Sequence, residues 1–233
     1  MRLVAAVVFD LDGVLIDSEP IWTEVREEFV TRQGGVWRPE AQRRMVGMST
    51  AEWSLYMSTE LRVSLPPSEI GCRVVDAMCM RYGDRPPVVD GAVDTVRALA
   101  TRWPLAIASS SPRLLIDRVL KSSDLGALIR ISVSSEEVER GKPAPDVYWR
   151  AADRLGVTPA ACVAIEDSRN GVRSALAADM RVIAIPDPDF PLDQHLHERV
   201  SASLTSIKEL TVALVAGLSA NYVRRTGDSI PHS

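Results

Sequence analysis

A chain of 233 residues that is 46% hydrophobic and 25% charged has the balance of an ordinary soluble globular protein, with room for one large domain or for a core carrying a smaller one. Its net charge of −4 supplies no basic field for nucleic acid or an anionic membrane, so a phosphorylated partner would have to be held by a local site. Three cysteines without C-x-x-C spacing (Cys72, Cys79, Cys162) argue against a disulfide framework or a zinc site and suit a reducing cytoplasm.

The first apolar run, residues 3–9, is too short for a membrane span, is cut off by Asp10 and has no signal-peptide cleavage pattern; it reads as a buried strand. From about Glu19 to Tyr82 only helical periodicity follows, predicting helices over 20–33, 39–46, 51–60 and 68–81. That stretch is too long for an ordinary strand-to-helix connection. It reads as a small helical domain, residues 17–85, inserted into the sheet, with hinges at 12–17 and 83–91. Ser49-Thr50-Ala51-Glu52 fits a capping box, and Cys72 and Cys79, seven apart, read as one buried helix face.

Beyond the insert, apolar strand candidates at 104–108, 129–133, 162–165 and 181–185 alternate with helices at 92–101, 113–121, 146–155 and 171–178. Continuous apolar strands separated by helices predict an α/β fold, a doubly wound parallel sheet covered on both faces, over residues 1–16 and 86–218. Asp187-Pro188-Asp189 reads as a loop and His195 and His197 as surface residues; residues 219–233 are polar and expected to be flexible.

Open α/β sheets bind ligands beyond the C-terminal ends of their strands. Here those ends carry Asp10-Leu11-Asp12-Gly13, then Ser109-Ser110-Ser111, then Glu166-Asp167-Ser168, with Lys142 in the intervening R-G-K-P-A-P-D segment. Carboxylates gathered on one edge repel unless a cation sits among them, and hard oxygen ligands suit Mg²⁺. A lysine and a hydroxyl complete a set able to hold a phosphoryl group. On an extended segment the side chains at i and i+2 point the same way, so one carboxylate of Asp10/Asp12 can attack phosphorus while the other moves protons.

Ser111, before Pro112, is the better helix-cap candidate of the serine run, and Asp167 or Ser168 is a candidate start for the helix that follows. Glu19 and Trp22, three apart on one helix face near the hinge, either face the substrate or, for Trp22, pack.

The set D-x-D-G, a serine ending the second strand, G-K-P-x-P-D and E-D-S, in that order, resembles the haloacid dehalogenase superfamily over most of the chain. The resemblance implies that Asp10 is the nucleophile forming an aspartyl-phosphate. It implies that Asp12 is the general acid/base, with its backbone carbonyl helping to hold Mg²⁺. Ser109, with Ser110, and Lys142 would bind the transferring group, and Glu166 and Asp167 would hold the metal with Asp10 and Asp12. The insert resembles a mobile cap, in which Glu19 and Trp22 would meet the substrate.

Within that superfamily the second aspartate argues for phosphoryl chemistry over dehalogenation. The lysines are Lys121, Lys142 and Lys208, none in the insert, which removes a cap-lysine Schiff base. β-Phosphoglucomutases resemble the chain in outline, yet where they carry a histidine and an arginine this chain has Trp22 and Thr50. The expectation is a Mg²⁺-dependent phosphatase for a small phosphorylated metabolite, without nucleic acid or membrane partners and compatible with a monomer. A phosphomutase, or an idle binding protein on the same fold, is the rival.

Overall fold

The computed structural model describes residues 3–188 and 190–225. Strand β1 (Ala6–Phe9) leads into four helices, α1 (Glu19–Arg32), α2 (Ala41–Met45), α3 (Thr50–Thr59) and α4 (Pro67–Tyr82). Then follow α5 (Ala92–Ala100), β2 (Leu105–Ser109), α6 (Arg113–Lys121), α7 (Leu125–Leu128) and β3 (Ile131–Ser134). The chain goes on through α8 (Asp146–Leu155), β4 (Cys162–Glu166), α9 (Arg169–Ala177) and β5 (Arg181–Ala184), and ends with α10 (Gln194–His197), β6 (Ala202–Ser203) and α11 (Val212–Arg225).

The six strands form one parallel sheet in the order β3-β2-β1-β4-β5-β6. The order reverses at β1, and β1 and its neighbours β2 and β4 end side by side at that switch point. Every residue of β1, β2 and β4 is buried, as a sheet with helices on both faces requires.

The two faces differ in bulk. One carries Val7, Phe9, Leu105, Ile107, Val163 and Ile165 and packs against α5, α6 and α11 in the cluster that also includes the insert. The other carries Ala6, Ala106, Ala108 and Ala164, packed against Ala151 and Ala152 of α8 and Ala175 of α9. Small side chains on both partners let α8 settle across β1, β2 and β3. That seating brings the loop before α8, with Lys142, to the strand ends.

Helices α1 to α4 lie between β1 and β2 in sequence and pack on one another, forming a helical insert. Its two connections are paired: Ile16 bridges Val88 antiparallel, Asp17 N–H donates to the Pro87 carbonyl (2.7 Å) and Val89 N–H to that of Leu15 (3.0 Å). The capping box forms, Ser49 taking the Glu52 N–H and Glu52 the Ser49 N–H. The buried face of α4 is Ile70, Val74, Val75 and Met78, however, with Cys72 exposed and Cys79 half-buried; the cysteine spacing did not mark that face.

Helix α11 continues to Arg225, past residue 219 where a flexible tail was expected, and residues 226–233, with Asp189 of the expected 187–189 loop, lie outside the described residues. Strand β6 and the short α10 had no counterpart in the expected elements; two residues and four are too few for a period to register. Among the described residues no helix is long and apolar enough to cross a membrane.

Candidate active site

Asp10 follows β1 directly, its N–H donating to the Ile165 carbonyl of β4 (2.9 Å), so the sheet ladder fixes its backbone. Its Oδ1 accepts from Leu11 N–H (2.7 Å) and lies 3.0 Å from Lys142 Nζ. Among the described residues nothing donates to Oδ2, and Asp10 lines a small cavity. Burial, then the nearby Glu166 carboxylate, push Asp10 up to about 8 although Lys142 pulls the other way.

Glu166 ends β4 and is fully buried. One oxygen accepts from Lys142 Nζ (2.6 Å) and from the Tyr148 hydroxyl of α8 (2.6 Å). The other accepts from Asp167 N–H (3.2 Å) and from the N–H and hydroxyl of Ser168 (3.4 and 3.3 Å). A Cβ on Gly171 would lie 1.9 Å from its Oε1, so glycine is what lets α9 approach this carboxylate. With both oxygens engaged, Glu166 is placed to anchor Lys142. Burial opposes the Lys142 charge, but Asp10 and Glu166 more than offset it and raise its pKa.

Asp167 differs. Its Oδ1 is buried without any hydrogen-bond partner, an arrangement costly for a carboxylate unless something else supplies the positive charge. A Cβ at Gly13, where φ is +74°, would fall 2.0 Å from Asp167 Oδ2, so only glycine leaves this space open. Burial, then Asp10 and Glu166, hold the Asp167 carboxyl well above the usual range. Asp10, Glu166 and Asp167 each offer an oxygen within 4.8 Å of the others. Three carboxylates and one ammonium leave two negative charges, which a divalent cation would cancel. The donor set is all oxygen, which suits Mg²⁺.

Asp12 is turned away from this trio. Its Oδ1 accepts from the Ser18 hydroxyl (2.5 Å) and Trp22 Nε1 (3.3 Å), its Oδ2 from the Ser111 hydroxyl (2.6 Å) and, at 3.4 Å, that of Ser109. Its side chain is held in one place beside Asp10 and outside the acidic trio. Ser111 therefore serves Asp12 instead of capping α6, whose cap position Pro112 takes. Ser109, fully buried, accepts the Ser111 N–H (2.9 Å) and does not line the cavity, whereas Ser110 and Ser111 do. Ser110 also donates to the Gly47 carbonyl of the insert (3.2 Å), tying the two regions together. Ser168 does start α9, accepting the Gly171 N–H.

Across the cavity stands a wall from the insert. Trp22 is buried, so it packs, and it also lines the cavity and donates to Asp12. Arg26 lies over the rings of Trp22 and Trp53, 4.3 and 5.0 Å from their centroids. Its Nη1 donates to Gln42 (3.2 Å), whose own amide donates to Glu19 (2.7 Å), while its buried Nε has no partner. Burial lowers its pKa to about 10, leaving it charged at neutral pH, and burial raises that of Glu19. Sequence reasoning singled out Glu19 and Trp22 here but missed Arg26, Gln42 and Trp53. The one available signal was an arginine one turn beyond Trp22 on the same face.

Comparison with known proteins decides the family. A family model, "haloacid dehalogenase-like hydrolase", matches residues 4–179. The chain belongs to the haloacid dehalogenase-like hydrolases. The chain is similar to hexitol phosphatase B of Escherichia coli O157:H7, 31% identical over 93% of this chain and 98% of that one. It is similar too to the protein CbbY of Rhodobacter capsulatus, 32% identical over 88% and 98%. Among solved structures, CbbY from Rhodobacter sphaeroides in complex with phosphate shares the fold: TM-score 0.80 at 23% identity, covering 91% of this chain and 99% of that one.

Proposed function

We propose that this hydrolase is a Mg²⁺-dependent phosphatase acting on a small phosphorylated metabolite, a sugar phosphate or similar phosphomonoester, through an aspartyl-phosphate. The observation that carries the reading is the buried trio Asp10, Glu166 and Asp167 with Lys142, two charges short of neutral and with an Asp167 oxygen left unpartnered. Asp10 and Asp167 would hold Mg²⁺ directly, with the Asp12 backbone carbonyl, and Glu166 would support Lys142 from behind. The ion, when bound, offsets negative charge on the phosphoryl oxygens.

Asp10 Oδ2, the oxygen without a protein donor, attacks phosphorus, forming the P–O bond of the aspartyl-phosphate as the bond to the leaving oxygen breaks. Asp12 gives its proton to that oxygen. It then takes one from the water that attacks phosphorus, which releases phosphate and restores Asp10. Lys142 and Ser110, which lines the cavity, hold phosphoryl oxygens. The helical insert, 17–85, acts as a cap that excludes bulk water while it is closed on the core of 1–16 and 86–218. Free thiols and a net charge of −4 suit a cytoplasmic enzyme for small molecules.

Hydrolysis is favoured over mutase chemistry by the two insert positions already named. Trp22 is engaged with Asp12, and Thr50 starts α3 with its methyl group facing Gly71, outside the cavity. Neither is free to hold a bisphosphate while it turns round. Phosphate release from an aryl phosphate with and without Mg²⁺ tests the reading: release only with the metal is expected, and no release from any of a broad phosphomonoester panel would overturn it. A sugar-phosphate isomerisation assay primed with a bisphosphate separates hydrolase from mutase.

A further inference from the structure

The catalytic cavity measures about 40 Å³. On that measure a water takes roughly 10–15 Å³, so the space suits a phosphoryl group and little more. The leaving group must therefore lie in whatever adjoins it. A second cavity of about 230 Å³ shares Glu19, Val46, Asp167 and Ser168 with the first and runs between the insert and the core. It has an arginine pair on each side: Arg43 and Arg44 from α2, Arg169 and Arg173 from α9.

The charges on this cleft do not balance. Asp167 belongs with the metal, and Glu19 is bonded to Gln42 beside Arg26. Asp187 is then the one further acid among the described residues of its lining. Arg169 is tied to the Pro191 carbonyl (2.9 and 3.0 Å), and Arg173 lies 3.4 Å from Asp193. Arg43 and Arg44 have no ion pair or side-chain hydrogen bond among the described residues. An exposed arginine ordinarily faces bulk water, but these two line a cavity that opens onto the reacting centre.

We propose that this cleft is a leaving-group subsite for a second anionic group, so that the preferred substrates are phosphomonoesters whose leaving group itself carries a phosphate or carboxylate. The inference rests on the phosphatase reading, since it is the seat of the transferred phosphoryl group at Asp10 that makes the cleft a leaving-group site. An anion bridging Arg43 and Arg44 to Arg169 and Arg173 also pulls insert and core together. Binding energy of the remote group is thereby used to close the site over the reacting one.

The test compares three substrates on one carbon skeleton: glucose 6-phosphate, glucose 1,6-bisphosphate and 6-phosphogluconate, at fixed ionic strength with saturating Mg²⁺. The wild type should turn over at least one of the two doubly anionic compounds with kcat/KM about tenfold or more above glucose 6-phosphate. Which of them it is separates a phosphate from a carboxylate. The Arg43→Gln, Arg44→Gln double variant should bring that value down to the glucose 6-phosphate level and leave the glucose 6-phosphate value within about twofold. No preference in the wild type, or an equal loss on all three compounds, overturns the inference. Calorimetric affinities of the same compounds for Asp10→Asn, with and without the arginine changes, separate its failure from that of the phosphatase reading. An arginine-dependent preference in binding without any turnover keeps the subsite and removes the phosphatase, whereas equal affinities remove the subsite.

Discussion

The two walls of the catalytic cavity are built by different means. On the core side, Asp10, Ser110 and Asp167 sit within a residue of the ends of β1, β2 and β4, where strand direction and sheet register decide where each group points. On the insert side, Trp22, Arg26, Gln42 and Trp53 come from three helices and meet only through packing, ring contact and one relayed hydrogen bond. The contrast teaches a division of labour. Under the proposed function the chemistry belongs to the sheet edge and the selection to a part joined to it by the Ile16–Val88 bridge and the bond of Ser110 to Gly47.

Substitutions on the core wall should therefore remove turnover, and those on the insert wall should change what is turned over. The largest effect is expected for Asp10→Asn, with kcat down by about 10³-fold or more. The same change should stabilise the metal-free protein. Asp10 titrates near 8 when folded and at 3.8 ordinarily, so the folded state binds a proton that the unfolded chain has already lost. Stability of the metal-free protein thus falls as pH rises from 3.8 towards 8. Removing this penalty should raise Tm at pH 8 by about 2–5 °C, read by calorimetry without Mg²⁺; a lower Tm would break the account of the core wall.

Lys142→Met comes next. Removing the ammonium leaves Asp10 and Glu166 facing each other without it, and a denaturant midpoint should report a loss of about 3–5 kcal/mol. Arg26→Lys, on the opposite wall, should cut kcat/KM about tenfold through KM and leave Mg²⁺ affinity as it was, because an ammonium cannot keep the guanidinium's contact with both indoles together with its bond to Gln42. Loss of Mg²⁺ affinity in that variant would erase the distinction between the walls. Ser110→Ala, which loses one bond across the two regions, should cost about 0.5–1.5 kcal/mol in closure, seen as a few-fold fall in kcat/KM.

How much of this was legible in the sequence follows the same division. Asp10, Asp12, Lys142, Glu166 and Asp167 could be picked out as candidates because each lies at a strand end or in a glycine- and proline-bounded loop, and the structure brings all but the side chain of Asp12 into one buried cluster. The parallel sheet was legible too, because buried strands read as unbroken apolar runs. What the local pattern could not carry was the side chains' choice of partner. Ser111 looked like a helix cap yet serves Asp12, and Ser109, expected to meet phosphate, is sealed behind it. Arg26 carried no reading of its own in the sequence. Only the arrival of Trp53 from α3 and Gln42 from α2 makes it a buried cation at the site. Contacts between residues far apart in sequence leave no period to read.

The measurement that bears most directly on the central claim is a rapid acid quench during turnover of an aryl phosphate with Mg²⁺, followed by peptide mass spectrometry. The account predicts the mass of one phosphoryl group on the peptide containing Asp10, absent from Asp10→Asn and absent without the metal. Turnover with no phosphoryl group on that peptide, or with the group on another residue, would contradict it.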